Sequence, residues 1–146
     1  MNFQTHGREV RILNYKKNSH AVATCTKGNF SLKINGFSLN QIKPNIIRDK
    51  ILEPFYILGL NKKIPIKIKI YVKGGGQVSR IYAIRQALSK SLIHYFKKFT
   101  NVVYQFQIKY KFLKFDKSLL YNSQKYAEPK KFGGKGARSR FQKSYR

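Results

Sequence analysis

Alternating or β-branched runs in the first part of the chain predict short strands separated by turns. Three such runs are visible, at residues 10–12, 21–25 and 30–34. Alternation places one set of side chains on each face of a sheet. Residues 27–29 and 35–36 contain glycine and asparagine, which favour turns. We therefore expect residues 9–37 to form a small antiparallel unit.

The spacing becomes helical between residues 44 and 59. The apolar positions that recur every three or four residues are Ile47, Ile51, Phe55 and Leu58. Pro54 interrupts this pattern, and a proline removes a backbone donor and crowds the preceding turn. The sequence predicts one short helix, a break at Pro54, and a second turn that ends at Gly59.

The clearest strand is predicted at residues 66–73. Isoleucine and valine occupy every second position there, so one face of the strand is apolar. The other face carries Lys67, Lys69 and Lys73 together with Tyr71. One face should belong to the core, and the other is either wet or lies on phosphate.

A long amphipathic helix should follow the glycines at residues 74–76. Apolar side chains recur at helical spacing over about five turns, at Ile81, Ile84, Leu88, Leu92, Tyr95 and Phe99. Lys90, His94 and Lys97 fall on the far side of this stripe. Arg85 falls at its margin, so we expect its guanidinium to reach outward from a buried stem.

Residues 102–120 are aromatic and basic, and they predict a further short helix followed by a strand around Leu119. The apolar pattern ends there. A chain of 146 residues favours one core, because a separate core needs about 100 residues. We predict an α+β protein with a body of residues 1–126 and a long, extended, basic C-terminal tail of residues 127–146.

The charge balance of the chain indicates which class of partner it binds. The chain has 31 Lys and Arg against 5 Asp and Glu, a net charge of +26. Such a chain repels itself unless a polyanion neutralises it. Nucleic acid is favoured, since each neutralised phosphate releases condensed counterions. A membrane surface is the main rival, but the cations are spread over every segment instead of forming one basic helix face.

Targeting and spanning segments are not expected. The first twelve residues contain charges and lack an apolar run of signal-peptide length. Residues 54–60, the longest nearly uncharged apolar stretch, fall far short of the roughly 20 residues that span a bilayer. The single cysteine, Cys25, allows no internal disulfide and fits a reducing compartment. We expect a cytoplasmic protein.

Enzyme chemistry is disfavoured by the dearth of acids. The acidic residues are Glu9, Asp49, Glu53, Asp116 and Glu128. Asp49 and Glu53 share a helix face with Arg48 and Lys50 beside them, which predicts a solvated ion-pair face rather than a catalytic pair. The three histidines lack metal-ligand spacing. We expect no catalysis, metal or cofactor, and we expect Cys25 to be a small buried hydrophobe.

The glycines Gly74, Gly75 and Gly76 permit two interpretations. Backbone N–H groups between a strand and a helix can cradle phosphate, and Lys73 and Arg80 flank this loop. The loop matches neither the P-loop nor the dinucleotide pattern, and a tight turn into the helix explains the glycines equally well.

The tail is the strongest nucleic-acid signal. Residues 129–146 contain seven cations in eighteen residues and no acid. Its aromatic rings can stack on bases, and its glycines let the backbone approach a crowded RNA surface. Ordering a residue costs about 1 to 2 kcal/mol, so we expect a disordered tail that becomes ordered on phosphate contacts.

Four separated motifs carry a resemblance to a known family. They are VKGGGQ at residues 72–77, IYAIRQALSK at 81–90, KKFGGKGAR at 130–138 and QKSYR at 142–146. Together they resemble the universal small-subunit ribosomal protein family nine, called protein sixteen in eukaryotes, in its eukaryotic cytosolic branch. The resemblance covers nearly the whole chain.

This resemblance implies a body of the ribosomal protein S-five second-domain type, in which a mixed sheet packs on helices. It implies binding to small-subunit ribosomal RNA in the head, beside neighbouring head proteins, with no homo-oligomer. It also implies that Ser144, Tyr145 and Arg146 lie near the anticodon stem-loop of peptidyl-site transfer RNA. The ribosomal RNA contacts predicted from the residues and the resemblance are Lys16, Lys17, Lys73, Gly74, Gly75, Gly76, Arg80, Arg85, Lys130, Lys131, Phe132, Gly133, Gly134, Lys135, Arg138, Arg140, Gln142 and Lys143.

Two stretches depart from the family pattern. Asn14 and Tyr15 precede the lysines where the family usually has a Gly-Arg pair, and residues 121–126 replace a segment that contains Pro-Arg-Arg. Two other functions stay open beside the ribosomal one. A phosphate-transfer enzyme would use the glycine loop, and a free nucleic-acid chaperone would bind RNA with little site preference.

Overall fold

A computed structural model describes residues 9–59, 64–122 and 127–146. The strands are β1 (Glu9–Lys16), β2 (Ser19–Lys27), β3 (Ser31–Ile34), β4 (Phe37–Ser38) and β5 (Ile66–Lys73). The α-helices are α1 (Asn45–Leu58), α2 (Gln77–Phe99) and α3 (Val102–Phe115). The predicted α+β class and the positions of β5 and α2 are confirmed.

The strands form one mixed sheet in the order β1-β2-β5-β3-β4. β1 and β2 make the predicted antiparallel hairpin, and β5 runs antiparallel to β2 but parallel to β3. The prediction that residues 9–37 form one antiparallel unit is therefore wrong, because β5 lies between β2 and β3. Alternation along β3 is the same whichever strand is its neighbour, so the pattern could not reveal this insertion.

The helices cover one face of the sheet. α2 packs against β1, β2 and β5, and α1 and α3 both pack against α2. The sheet contributes alternate side chains such as Ala23, Cys25 and Ile68 to the core, and α2 contributes Leu88 and Leu92. Fully burying a leucine or isoleucine stabilises the fold by about 1.5 to 3 kcal/mol. The opposite face of the sheet has no helix on it among the described elements.

The helix α1 is continuous across Pro54, so the predicted break is wrong. Proline costs a helix one hydrogen bond, and here its ring is buried in the core side of the helix, where packing offsets that loss. The predicted end at Gly59 is confirmed. Gly59 has φ of +66°, and its N–H bonds the carbonyls of Phe55 and Tyr56.

The helix α2 is buried on more sides than a simple stripe predicts, since it lies between the sheet and the other two helices. All side chains of residues 83–89 are buried. Of the predicted polar side, Lys97 is exposed, whereas Lys90 and His94 are half-buried.

The predicted helix after residue 100 is confirmed as α3, which begins where the Asn101 side chain accepts a hydrogen bond from the N–H of Val103. The predicted strand around Leu119 is wrong. Residues Lys117–Leu119 form a turn of 3-10 helix instead. The Asp116 carboxylate caps this turn by accepting from the N–H of Ser118 at 2.7 Å, and Leu119 is buried.

Residues 127–146 contain no helix or strand. Within them, the N–H of Lys131 bonds the carbonyl of Gly136 at 3.4 Å, and the N–H of Phe141 bonds that of Gly133 at 3.2 Å. These two hydrogen bonds close a loop within the tail, and the disorder expected of the free tail stays a prediction. The predicted boundary between body and tail falls at residue 126, and residues 123–126 lie outside the described residues. The same residues include most of the stretch 121–126 that departs from the family pattern.

Candidate nucleic-acid interface

Two parts of the predicted RNA-binding surface meet at one end of the sheet. The turn between β1 and β2 lies against the glycine loop after β5. Gly74 and Gly75 have φ of +77° and +63°, a region that disfavours other residues. A Cβ on Gly74 would lie 2.5 Å from the carbonyl oxygen of Asn18, and one on Gly75 would lie 2.0 Å from Oγ of Ser19. Conformation and close approach both require glycine here.

The loop is also tied internally. Oγ of Ser19 donates to the carbonyl of Gly74 at 3.1 Å, and Nε of Arg80 donates to the same oxygen at 2.9 Å. Gly76, by contrast, has an ordinary φ of −79° at the start of α2, with open space at its Cβ position. The tight-turn interpretation thus accounts for Gly74 and Gly75 without a phosphate, and phosphate contact stays a prediction.

This junction collects the cations that were predicted separately. Lys17 and Lys73 are exposed, Lys16 is half-buried, and Arg80 is exposed except for its bond to the loop. We call residues 16–17, 73–76 and 80 the basic end of the sheet. Its positive charge is concentrated on one rim of the body.

Asn14 supports the basic end from inside. It is 3% exposed, its Nδ2 donates to Oε1 of Gln86 at 2.8 Å, and it accepts from Nζ of Lys90 at 2.9 Å. Burial lowers the pKa of Lys90. The side chain of Asn122 donates to the carbonyl of Tyr15, which fixes the chain after α3 beside the hairpin. Asn14, one of the two residues that depart from the family pattern here, therefore has a structural role.

Arg85 does not reach outward, and that prediction is wrong. The residue is 1% exposed, and its Nη1 donates to Oδ2 of Asp116 at 2.9 Å and to Oγ of Ser118 at 3.1 Å. Nε of Arg85 forms an ion pair with Glu53. Two carboxylates from different elements compensate the buried charge. The guanidinium therefore ties α2 to α1 and to the turn after α3.

The same contacts correct the assignment of Glu53. It was predicted on a solvated face with Asp49, but its side chain is 17% exposed and pairs with both Lys50 and Arg85. Glu53 is turned toward α2, whereas Asp49 is exposed. Helical spacing alone did not show which acid meets a buried cation.

Asp116 is the second anchor of Arg85. Burial raises its pKa, but hydrogen bonds from Ser118 and Arg85 and the charge of Arg85 lower it further, so the net pKa lies below its ordinary value. Asp116 therefore stays ionised in the folded protein at neutral pH.

The uncovered face of the sheet brings Arg11 and Lys33, which were not predicted as site residues, beside Lys69. Arg11, Thr24, Lys69 and Lys33 lie in one row across four strands, because they are paired in register. Alternation predicts that Arg11 and Lys33 point away from the core. Only the strand order brings them beside Lys69.

The tail exposes most of its predicted contacts, but Gly134 is buried. Its exposed cations are Lys130, Lys131, Lys135, Arg138, Arg140, Lys143 and Arg146. Phe132 and Tyr145 are almost fully exposed, and Gln142 and Ser144 are exposed between them and the end of the chain.

One acid organises the tail loop. Oε1 of Glu128 accepts from Nη2 of Arg138 at 2.6 Å, and Oε2 accepts from Nε at 3.2 Å. The hydrogen bonds from Arg138 lower the pKa of Glu128. Gly134 is buried, and a Cβ there would lie 1.9 Å from the carbonyl oxygen of Ser139. The loop is thus closed by the bidentate ion pair between Arg138 and Glu128 and by Gly134, which allows a close backbone contact.

Three findings concern metal binding, membrane crossing and the single cysteine. Within residues 9–59, 64–122 and 127–146, no group of three acids, histidines or cysteines could hold a metal ion. None of the described helices combines the length and the hydropathy that crossing a membrane requires. Cys25 is fully buried, and burial raises its pKa to about 12, which confirms a small buried hydrophobe.

Comparison with known proteins gives a consistent result. The family described as "Ribosomal protein S9/S16" matches residues 14–146. "Small ribosomal subunit protein uS9" of Neurospora crassa is 44% identical over 137 residues, which cover 94% of this chain and 96% of the relative. "Small ribosomal subunit protein uS9A" of Saccharomyces cerevisiae is also 44% identical, with the same coverage.

Proposed function

Since this chain belongs to the ribosomal protein S9/S16 family, we propose that its body binds ribosomal RNA in the small-subunit head and its tail reaches peptidyl-site transfer RNA. The predicted family is confirmed, and the chain is a structural protein of the small ribosomal subunit. The predicted cytoplasmic location agrees with its eukaryotic relatives. Neighbouring head proteins are its further partners in this proposal.

The observation that carries the proposal is the exposed charge of the tail. Residues 127–146 contain seven exposed cations and one acid, and that acid is held by Arg138. Each phosphate neutralised by a cation releases condensed counterions. Six phosphate contacts would make log affinity fall with log salt at a slope of about −4 to −5. Salt-sensitive RNA binding is therefore the expected property of this segment.

The tail divides into two parts. Residues 130–143 follow ribosomal RNA, where the lysines and arginines contact phosphates and Phe132 stacks on a base. Ser144, Tyr145 and Arg146 form the end of the chain and contact the anticodon stem-loop. Within the first part, Gly133 and Gly134 let the backbone turn closely between the cations.

The basic end of the body supplies a second RNA contact. Its exposed lysines, Lys17 and Lys73, present charge on the same rim, and Gly74–Gly76 form the loop between them. Arg85 is not part of this contact, because its guanidinium is buried and paired with Glu53 and Asp116.

The enzyme alternative loses its main support, since packing accounts for Gly74 and Gly75. The chaperone alternative makes a different prediction. A chaperone would separate from small subunits in moderate salt, whereas a structural protein would sediment with them.

The role of the chain end is tested by paired substitutions. Arg146→Ala should accelerate loss of transfer RNA from the peptidyl site about tenfold, the effect of one charge-assisted contact, without preventing incorporation into subunits. Arg140→Ala removes the same charge six residues earlier and should leave transfer RNA retention unchanged. Filter binding of transfer RNA to purified subunits measures both. Equal retention in the two variants would contradict the role of the last three residues.

A further inference from the structure

One face of the sheet remains open. The side chains that point away from the helices on β1, β2, β3 and β5 are exposed or half-exposed. Tyr71 is 59% exposed near the end of β5, and Leu13 is 48% exposed on β1. Large apolar side chains gathered on one open surface indicate a binding site more often than isolated ones do. We call this surface the outer sheet face.

Cations are ordered along this face. The row of Arg11, Thr24, Lys69 and Lys33 crosses four strands. Strands lie about 4.8 Å apart, so Arg11 and Lys69 are separated by about 10 Å. Along β5, alternate positions are occupied by Lys67, Lys69, Tyr71 and Lys73. Lys67 and Lys69 are therefore about 7 Å apart, and Lys69 and Lys73 are about 13 Å apart. Glu9 is the one acid in these rows, and it lies at their edge opposite Thr26.

An apolar and aromatic band lies directly beside the cations. Leu13, Val22 and Tyr71 share the next row in register. The row after it contains Tyr15 and His20, whose rings meet edge to face with centroids 4.8 Å apart. Lys73 completes that row, so the outer sheet face is continuous with the basic end.

We propose that the outer sheet face binds an unpaired segment of RNA, with the Tyr71 ring stacked on a base and Lys69 and Lys73 on the flanking phosphates. This site rests on the proposed ribosomal function, but it is separate from the tail. The cations on both sides of Tyr71 select a polyanion over an apolar protein surface. A duplex keeps its base faces stacked inside, whereas an unpaired segment offers them to an aromatic ring.

Cross-linking in whole subunits identifies the occupant. Small subunits that contain the full chain are irradiated with ultraviolet light, and peptides of the chain are examined by mass spectrometry for attached nucleotides. The proposal predicts an adduct on Tyr71. Adducts in the tail without one on Tyr71 would overturn it while leaving the proposed function intact. Absence of RNA adducts from both regions would count against both proposals.

A lysine-reactive cross-linker on the same subunits tests the alternative that another protein covers the outer sheet face. Joining of Lys69 or Lys33 to another protein, with no RNA adduct on Tyr71, would mean that a protein covers this face. RNA adducts without such joining support the proposal.

Substitutions at Tyr71 provide the matched control. Because the side chain is exposed, Tyr71→Ala should fold, and it should compete about tenfold less well than the natural chain for incorporation into subunits. Tyr71→Phe keeps the ring and should compete equally. Equal competition by Tyr71→Ala, or failure of both variants, would contradict stacking by the ring.

Discussion

Arg85 and Asp116 lie 31 positions apart in the chain, and their side chains meet at 2.9 Å between Nη1 and Oδ2. Arg85 is on α2, Asp116 follows α3, and Glu53 on α1 completes the cluster. One buried guanidinium therefore holds three elements together. Since Arg85 is only 1% exposed, the cluster acts on stability rather than on RNA.

Glu53→Gln should destabilise the fold by about 3 kcal/mol, because it removes one of the two charges that compensate a buried cation. Asp49→Asn is the matched control on the same helix, where the carboxylate is exposed. It should change stability by no more than about 0.5 kcal/mol. Urea unfolding measures both variants. Equal losses would show that the position of Glu53 beside Arg85 carries no special stabilisation.

Low pH should reduce the stabilisation that the cluster of Arg85, Asp116 and Glu53 contributes to the fold. The pKa of Asp116 is lowered in the folded state, so its contribution is present above the ordinary pKa of about 3.9 and is lost as pH falls through the folded value. Asp116→Asn removes this titration. The variant should be less stable than the natural chain at neutral pH, and the difference should narrow below about pH 4. A difference that stays constant from neutral pH to pH 2, about two units below the ordinary pKa, would contradict the assignment.

Substitutions in the glycine loop distinguish a role in packing from a role in binding a ligand. Gly74→Ala introduces a Cβ 2.5 Å from the Asn18 carbonyl oxygen at a φ of +77°, and it should cost at least about 2 kcal/mol. Gly76→Ala meets open space, and its change should stay within about 0.5 kcal/mol. Thermal unfolding distinguishes the two. Preserved stability in Gly74→Ala together with weakened RNA binding would instead favour a phosphate cradle.

Glu128 should strengthen RNA binding although it is an acid. Its bond to Arg138 closes the tail loop, so Glu128→Gln should weaken binding to small-subunit ribosomal RNA about threefold. Charge alone predicts the opposite, because the variant carries one more net positive charge. Asp49→Asn raises net charge equally outside the tail and should not weaken binding. Tighter binding by Glu128→Gln would contradict a positioning role for this acid.

Local patterns predicted the elements whose signal is contained in their own residues. The alternation of Ile66, Ile68 and Ile70 was enough for β5, and helical spacing was enough for α2. Pro54 misled the prediction because its cost to a helix depends on what the proline ring packs against. The strand predicted at Leu119 failed because a capping carboxylate, not apolar alternation, determines that turn.

The RNA contacts proposed for the tail and for the loop around Gly74 stay predictions. Their exposed cations were predictable, because charge and glycine stand together in sequence there. Arg85 was not, since its environment is determined by Glu53 and Asp116, which are distant in the chain. The outer sheet face was also hidden. Lys33 joins Lys69 only because β5 inserts beside β3, and no spacing within either strand indicates that neighbour.

In the proposed function, the tail binds RNA and its last residues contact transfer RNA. A photoreactive amino acid at position 145, in the full chain assembled into small subunits with transfer RNA in the peptidyl site, tests this directly. We expect cross-links to the transfer RNA anticodon stem-loop, and we expect the same group at position 132 to cross-link ribosomal RNA alone. Cross-links from position 145 to ribosomal RNA only, or to protein, would contradict the account.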